Sequence, residues 1–320
     1  MSETHIRQRG EGSGDSDRPD RSYPPLPEPL EVDLYDNHSH LELADGEQPM
    51  SFQEHLDRAA LVGVKGVIQV GNDLATSRWS TEMAAIEPRM LAAVAIHPND
   101  APGLGAAGTL AEAVAEIAAL AARPRVVAVG ETGLDFFRTA EPDRHWQYRS
   151  FEDHIRIALE RGLALQIHDR DAHAEVVATL KRVGAPERTV FHCFSGDREF
   201  AELCAENGWY LSFAGTVTFR NAQPLREALV AVPRRLILVE TDAPFLTPTP
   251  FRGRPNAPYL MPHTVRSMAE TMGIEVSVLA TQLAANTEEV YGRWDAEPVT
   301  TPSRASASGT AAASAPEVGR

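Results

Sequence analysis

Short apolar runs rich in β-branched residues recur along the chain, and longer stretches with apolar residues at helical spacing lie between them. The runs are "DLYDN" (33–37), "GVIQV" (66–70), "LAAVAI" (91–96), "RVVAVG" (125–130), "LALQIH" (163–168), "TVFHC" (189–193), "WYLSF" (209–213) and "LILVE" (236–240). Helical patterns between them include "SFQEHLDRAALVG", "TLAEAVAEIAALAA", "RSFEDHIRIALERG", "HAEVVATLKRVG" and "REFAELCAENG". Several of these open on Ser or Thr and close on Gly, as helix caps do. Eight strands alternating with helices predict an α/β fold, a single (β/α)8 barrel. An open doubly wound sheet alternates in the same way, but its first strand feeds a glycine-rich phosphate loop. Neither GxGxxG nor GxxxxGK[ST] occurs in this chain.

The periodicity stops near both ends. Residues 1–30 are rich in Gly, Pro, Ser, Asp and Arg, and residues 295–320 are rich in Ala, Ser and Pro. Both are expected to be disordered tails flanking a barrel over residues 31–294. "YPPLPEPL" reads as a semi-rigid linker rather than a recognition motif.

Composition narrows the class. Of 320 residues, 43% are hydrophobic and 23% charged, as in a soluble globular protein, and no run approaches a membrane span. The N-terminus lacks the apolar centre of a secretion signal, so a cytoplasmic location is expected. Two cysteines, Cys193 and Cys204, are too few for a disulfide framework or a cysteine zinc site. The net charge of −15 argues against broad adhesion to nucleic acid but leaves room for a local basic groove.

Ligand-type side chains fall at the ends of the predicted strands. His38 and His40 follow the first, Glu131 ends the fourth, His168 the fifth and His192 the sixth, and Asp242 follows the eighth. Any one of them alone reads as a structural histidine or a capping carboxylate. In a barrel these ends surround one mouth, and four imidazoles with two carboxylates crowded there call for a cation. The set exceeds the three protein ligands usual for one catalytic zinc, so a two-metal centre bridged by Glu131 is expected. Asp36, on the same strand face as the two histidines, is expected beneath them as an orienting or structural carboxylate. Cys193 is expected to face away from His192, into the core.

The motifs "DNHSHL", "AIHP", "GETGLDFFR", "QIHDRDA", "FHCFSG", "ETDAPFLTPTPFRGRPNAP" and "NTEEVYG", in this order from Leu34 to Gly292, resemble the TatD family of metal-dependent deoxyribonucleases. The resemblance implies that His38, His40, Glu131 and Asp242 bind one ion and that Glu131, His168 and His192 bind a second. It further implies hydrolysis of DNA phosphodiesters, from a 3′ end and on single strands without sequence specificity. Asp242 would take the proton of the attacking water. Histidine ligands suit zinc, whereas carboxylates with phosphate suit Mg or Mn. His97 is a candidate for contacting the phosphate or assisting the leaving oxygen, or for ordering the Pro98 turn, and Arg138 and Arg252, ahead of Arg170 and Arg254, are candidates for flanking phosphates. Asp135 is a candidate for loop ordering or substrate contact. Ser39, Phe137 and His154 stand where Cys, Tyr and Gln are frequent in the family, which affects substrate contacts more than ligands. The alternative reading is a small-molecule ester, lactone or amide hydrolase with the same metal centre, and a noncatalytic scaffold is the remaining class.

Overall fold

In the computed structural model, residues 20–294 are described, together with the backbone of the two-residue strand His5–Ile6. The tail expectations for residues 1–19 and 295–320 otherwise lie outside the described residues.

Eight parallel strands run in chain order: β1 Leu34–Ser39, β2 Val64–Gly71, β3 Met90–Val94, β4 Val126–Asp135, β5 Ala164–Arg170, β6 Thr189–Phe191, β7 Tyr210–Phe213 and β8 Ile237–Val239. Each pairs with its neighbours in sequence. The ring closes between β1 and the segment after β8, partly through side chains. Asn37 Nδ2 donates to Val239 O at 2.6 Å. Buried Asp36 accepts from the Thr241 amide at 2.9 Å and from the Thr241 hydroxyl. Above these bonds, Asp242 N donates to His38 O (2.9 Å) and His40 N to Ala243 O (2.7 Å). This seam brings Asp242 beside the two histidines of β1. Asp36 therefore orients backbone rather than imidazole, since its other acceptor contact is to the His38 amide. Burial pushes its carboxyl up to about 7 against these bonds.

The strand cores are apolar, and the helices cover them. Ser51 and Glu54 form a capping box at α1 (Phe52–Ala60), Asp73 caps α2 (Leu74–Ile86), and left-handed Gly162 ends α5 (Arg144–Arg161). α9 (Met261–Met272) and α10 (Val276–Tyr291) complete the ring. No helix among the described residues is long and apolar enough to cross a membrane.

The segment 20–30, expected to be part of a disordered tail, lies against the barrel. Tyr259 donates to Pro24 O, Arg266 to Glu28 O and Arg254 to Tyr23 O, while Leu30 N donates to Val62 O. A proline-rich chain has no periodicity to read, yet its unpaired carbonyls serve as acceptors for donors distant in sequence.

His154 on α5 is buried and uncharged. Its Nδ1 donates to Ser150 O (2.7 Å), so its Nε2 accepts the Ile96 amide (3.0 Å) just before His97. Burial lowers its pKa to about 4 from 6.5. Between those values the unfolded chain takes up a proton that the folded chain does not, so stability falls as pH drops from 6.5 towards 4, by up to about 3 kcal/mol. His154→Gln can keep both hydrogen bonds without that proton. Urea melts at neutral and acid pH should show a flatter dependence for the variant, and identical slopes would contradict this account.

Candidate metal centre

Glu131 owes its position to an irregularity in β4. Val129 pairs with Leu165 but Thr132 with Ile167, so Gly130 and Glu131 together face Gln166. One extra residue in a strand bends it and re-aims its side chains. Two glycines allow the neighbouring strands to stay close. A Cβ on Gly130 would lie 2.5 Å from Gln166 Cβ, and one on Gly133, whose φ is +147°, would lie 2.0 Å from His168 O.

The redirected carboxylate sits among four imidazoles. Its Oε2 is 3.6 Å from His38 Nε2 and 3.9 Å from His40 Nε2. Its Oε1 is 2.6 Å from His168 Nδ1 and 2.7 Å from His192 Nε2. Asp242 Oδ1 lies 3.5 Å from His40 Nε2 and 3.9 Å from His38 Nε2, which are 3.2 Å from each other. All six residues predicted as ligands are thus brought together. Asp242 adopts φ +53° and Cys193 φ +43°, left-handed conformations that turn the chain sharply at the mouth.

Most of the rings are fixed from behind. His40 Nδ1 donates to Val70 O at 3.0 Å, which leaves Nε2 for a ligand. His192 Nδ1 faces Glu240 Oε1 at 3.2 Å, and His168 Nε2 faces Asp135 Oδ2 at 3.2 Å. A carboxylate on the far nitrogen sets ring orientation and raises ligand basicity. Asp135 in turn accepts from Asn99 Nδ2 and the Arg138 amide. Glu240 was not singled out in the sequence, although it lies two residues before Asp242. The alternation of strand-like backbone was the available signal.

The charges are those of a cluster built around cations. Burial would raise the Glu131 carboxyl, but His192, His97 and His168 hold it well below its usual range. Burial would lower His192, yet Glu131 and Glu240 carry it well above 6.5. His40 likewise overcomes burial, through Asp242, Glu42 and Glu131, to reach about 9. His38 stays low because burial and the His192 charge act together.

The donor set fits divalent cations. Ligands at about 2.0–2.1 Å from zinc stand roughly 3.3 Å apart in a tetrahedron. In three overlapping groups, His38–His40–Asp242, His38–Glu131–His192 and His97–Glu131–His168, the ligand atoms lie within 4.8 Å of one another. His97 Nε2 is 3.5 Å from Glu131 Oε1. Its Nδ1 accepts the Asn99 amide at 3.1 Å, so Nε2 carries the proton and acts as a donor.

The remaining candidates ring the mouth. Arg138 and Arg252 are exposed, and Arg252 lies 4.3 Å from the centre of the Phe219 ring. Arg170 covers exposed Phe137 at 3.9 Å. Arg254 instead binds Ser22 and Tyr23 of the 20–30 segment. Cys193 is not in the core. Strand alternation ends at Phe191, and the left-handed turn places Cys193 in a cleft beside the centre.

A (β/α)8 barrel with histidines and carboxylates converging at its strand ends marks a metal-dependent hydrolase. The chain belongs to the TatD related DNase family, whose model matches residues 35–292. It is 42% identical to the uncharacterized metal-dependent hydrolase TatD of Mycobacterium tuberculosis, over 81% of this chain and 98% of that protein. It is 35% identical to the 3′-5′ ssDNA/RNA exonuclease TatD of Citrobacter rodentium, over 75% and 91% respectively. The crystal structure of YJJV, a TatD homologue from Escherichia coli, superposes with a TM-score of 0.72 at 27% identity, over 81% of this chain and 98% of that one.

Proposed function

We propose that this protein is a two-metal exonuclease that hydrolyses phosphodiester bonds of single-stranded DNA from 3′ ends. The observation that carries the reading is the division of Glu131. Its Oε2 faces His38 and His40, and its Oε1 faces His168 and His192. A carboxylate shared in this way is the bridge that a pair of ions needs. His38, His40 and Asp242 would hold one Mg, Mn or Zn ion and His168 and His192 the other. Ions held there would acidify a water and offset charge developing on the phosphoryl oxygens.

The chain's own groups complete the chemistry. Asp242, the more exposed of the cluster's two carboxylates, accepts the proton of the attacking water. As the new P–O bond forms, the bond to the leaving sugar oxygen breaks, and His97 Nε2–H is the donor placed to hydrogen-bond it. Arg138 and Arg252 at the rim hold flanking phosphates. The 3′-5′ ssDNA/RNA exonuclease named for the Citrobacter relative supports a single-stranded substrate and this polarity.

Purified protein with 3′- or 5′-labelled single-stranded DNA and a panel of Mg²⁺, Mn²⁺ and Zn²⁺ provides the test. Wild type should shorten the DNA from its 3′ end in a metal-dependent way, and His168→Ala should be slower by at least about 100-fold. Equal cleavage by the variant, or hydrolysis of small esters or lactones with no DNA cleavage, would reject the reading.

A further inference from the structure

Beside the ligand cluster, the loops after β6 and β7 enclose a cleft of about 530 Å³, within the size range of small-ligand sites. Its inner wall is Cys193, the residue after His192, so the cleft opens next to the centre. Phe194, Phe219 and Leu225 supply apolar walls, and Thr216 and Asn221 supply polar groups. No Lys or Arg lines it, while Asp197 does, which makes it a poor phosphate site. Arg252 stands over the Phe219 ring and places a positive charge near this wall.

A ligand whose phosphate sits in the ligand cluster therefore meets a partly aromatic cleft without Lys or Arg on one side and a guanidinium near that cleft's wall. We propose that this cleft is a subsite for the base of the nucleotide flanking the scissile phosphate, with Phe219 as its stacking surface. The assignment rests on the exonuclease reading and adds to it where the base lies. Every base has an aromatic face, so stacking tolerates sequence. Asn221 is exposed and free to reorient in solvent, which suits weak discrimination among bases.

Two substrates separate base binding from the chemical step: an oligothymidylate, and the same oligomer carrying tetrahydrofuran abasic units on both sides of the scissile phosphate, a diester with no aromatic group. For Phe219→Ala and for Ala222→Met, which narrows the cleft, the kcat/KM ratio of the first substrate to the second should fall about tenfold, mainly through KM, the change expected for one lost stacking contact. As a direct readout, a 2-aminopurine nucleotide flanking a phosphorothioate-protected linkage should be quenched on binding wild type and not on binding Phe219→Ala. DNA cleavage with an unchanged ratio, equal losses on both substrates, or no quenching by wild type would overturn the subsite while leaving the exonuclease reading intact. A wild-type protein that cleaves neither oligomer under any metal condition would overturn both.

Discussion

Glu131→Gln is expected to reduce DNA hydrolysis on the order of 1,000-fold, about 4 kcal/mol of transition-state stabilisation, and to lower bound metal from two ions towards one or none. The amide nearly preserves the shape of the side chain but removes its charge. Whichever way it is turned, its NH₂ group points at one half of the cluster, either towards His38 and His40 or towards His168 and His192. One ion then loses an anionic ligand and meets a donor in its place. Glu131→Asp keeps the charge but shortens the reach, so partial recovery of metal binding is expected. Metal analysis after dialysis, alongside initial rates, checks both variants. A Glu131→Gln protein that retains two ions and most of its activity would refute the bridging role. Circular dichroism separates this from misfolding, because the bulge at Gly130–Glu131 is a backbone feature that the amide does not disturb.

The ring of candidate ligands was legible because the barrel imposes it. Once eight strands alternate with helices, residues at successive strand ends must meet, whatever their distance in sequence. The chain shows His38, His40, Glu131, His168, His192 and Asp242 at those positions, and the structure gathers them. What the sequence did not display depends on local backbone. Nothing in "VVAVGETGLD" announces that Glu131 lies in a bulge, which only the paired register with β5 reveals, and only the distances to the four rings show how its two oxygens divide. Alternation placed Cys193 in the core, but β6 ends two residues earlier and a left-handed residue redirects the side chain. Asp36 was placed correctly by face, yet its partner, Thr241, comes from the far end of the barrel. Periodicity cannot report a bond across the seam. The 20–30 segment makes the same point, since composition describes a chain's own tendency to order and not the donors that another segment offers it.

Asp242→Asn should separate proton acceptance from metal binding, two roles that one carboxylate combines. Asn tolerates the left-handed backbone that Asp242 adopts at φ +53°, whereas Ala would add strain there, so the Asn variant should keep the seam bond to His38 O. It still presents an oxygen towards His38 and His40, and those rings with Glu131 should retain an ion at elevated metal concentration. What Asn cannot do is take a proton at neutral pH. The expected result is a kcat lower by about 1,000-fold at saturating metal, with KM for DNA within about threefold of wild type. With its local acceptor gone, the reaction should depend on hydroxide from solvent, and log kcat should rise with pH with a slope of about one where wild type is flatter. A variant that regains wild-type kcat once metal is saturating would show that Asp242 serves only as a ligand. Another group would then have to accept the proton. Glu131 is a poor substitute, because His192, His97 and His168 hold its carboxyl well below the usual range and so make it a weak base. Asp242 is the other carboxylate of the ligand set and the more exposed of the two, at 13% against 6% for Glu131, and this is why the proton is assigned to it.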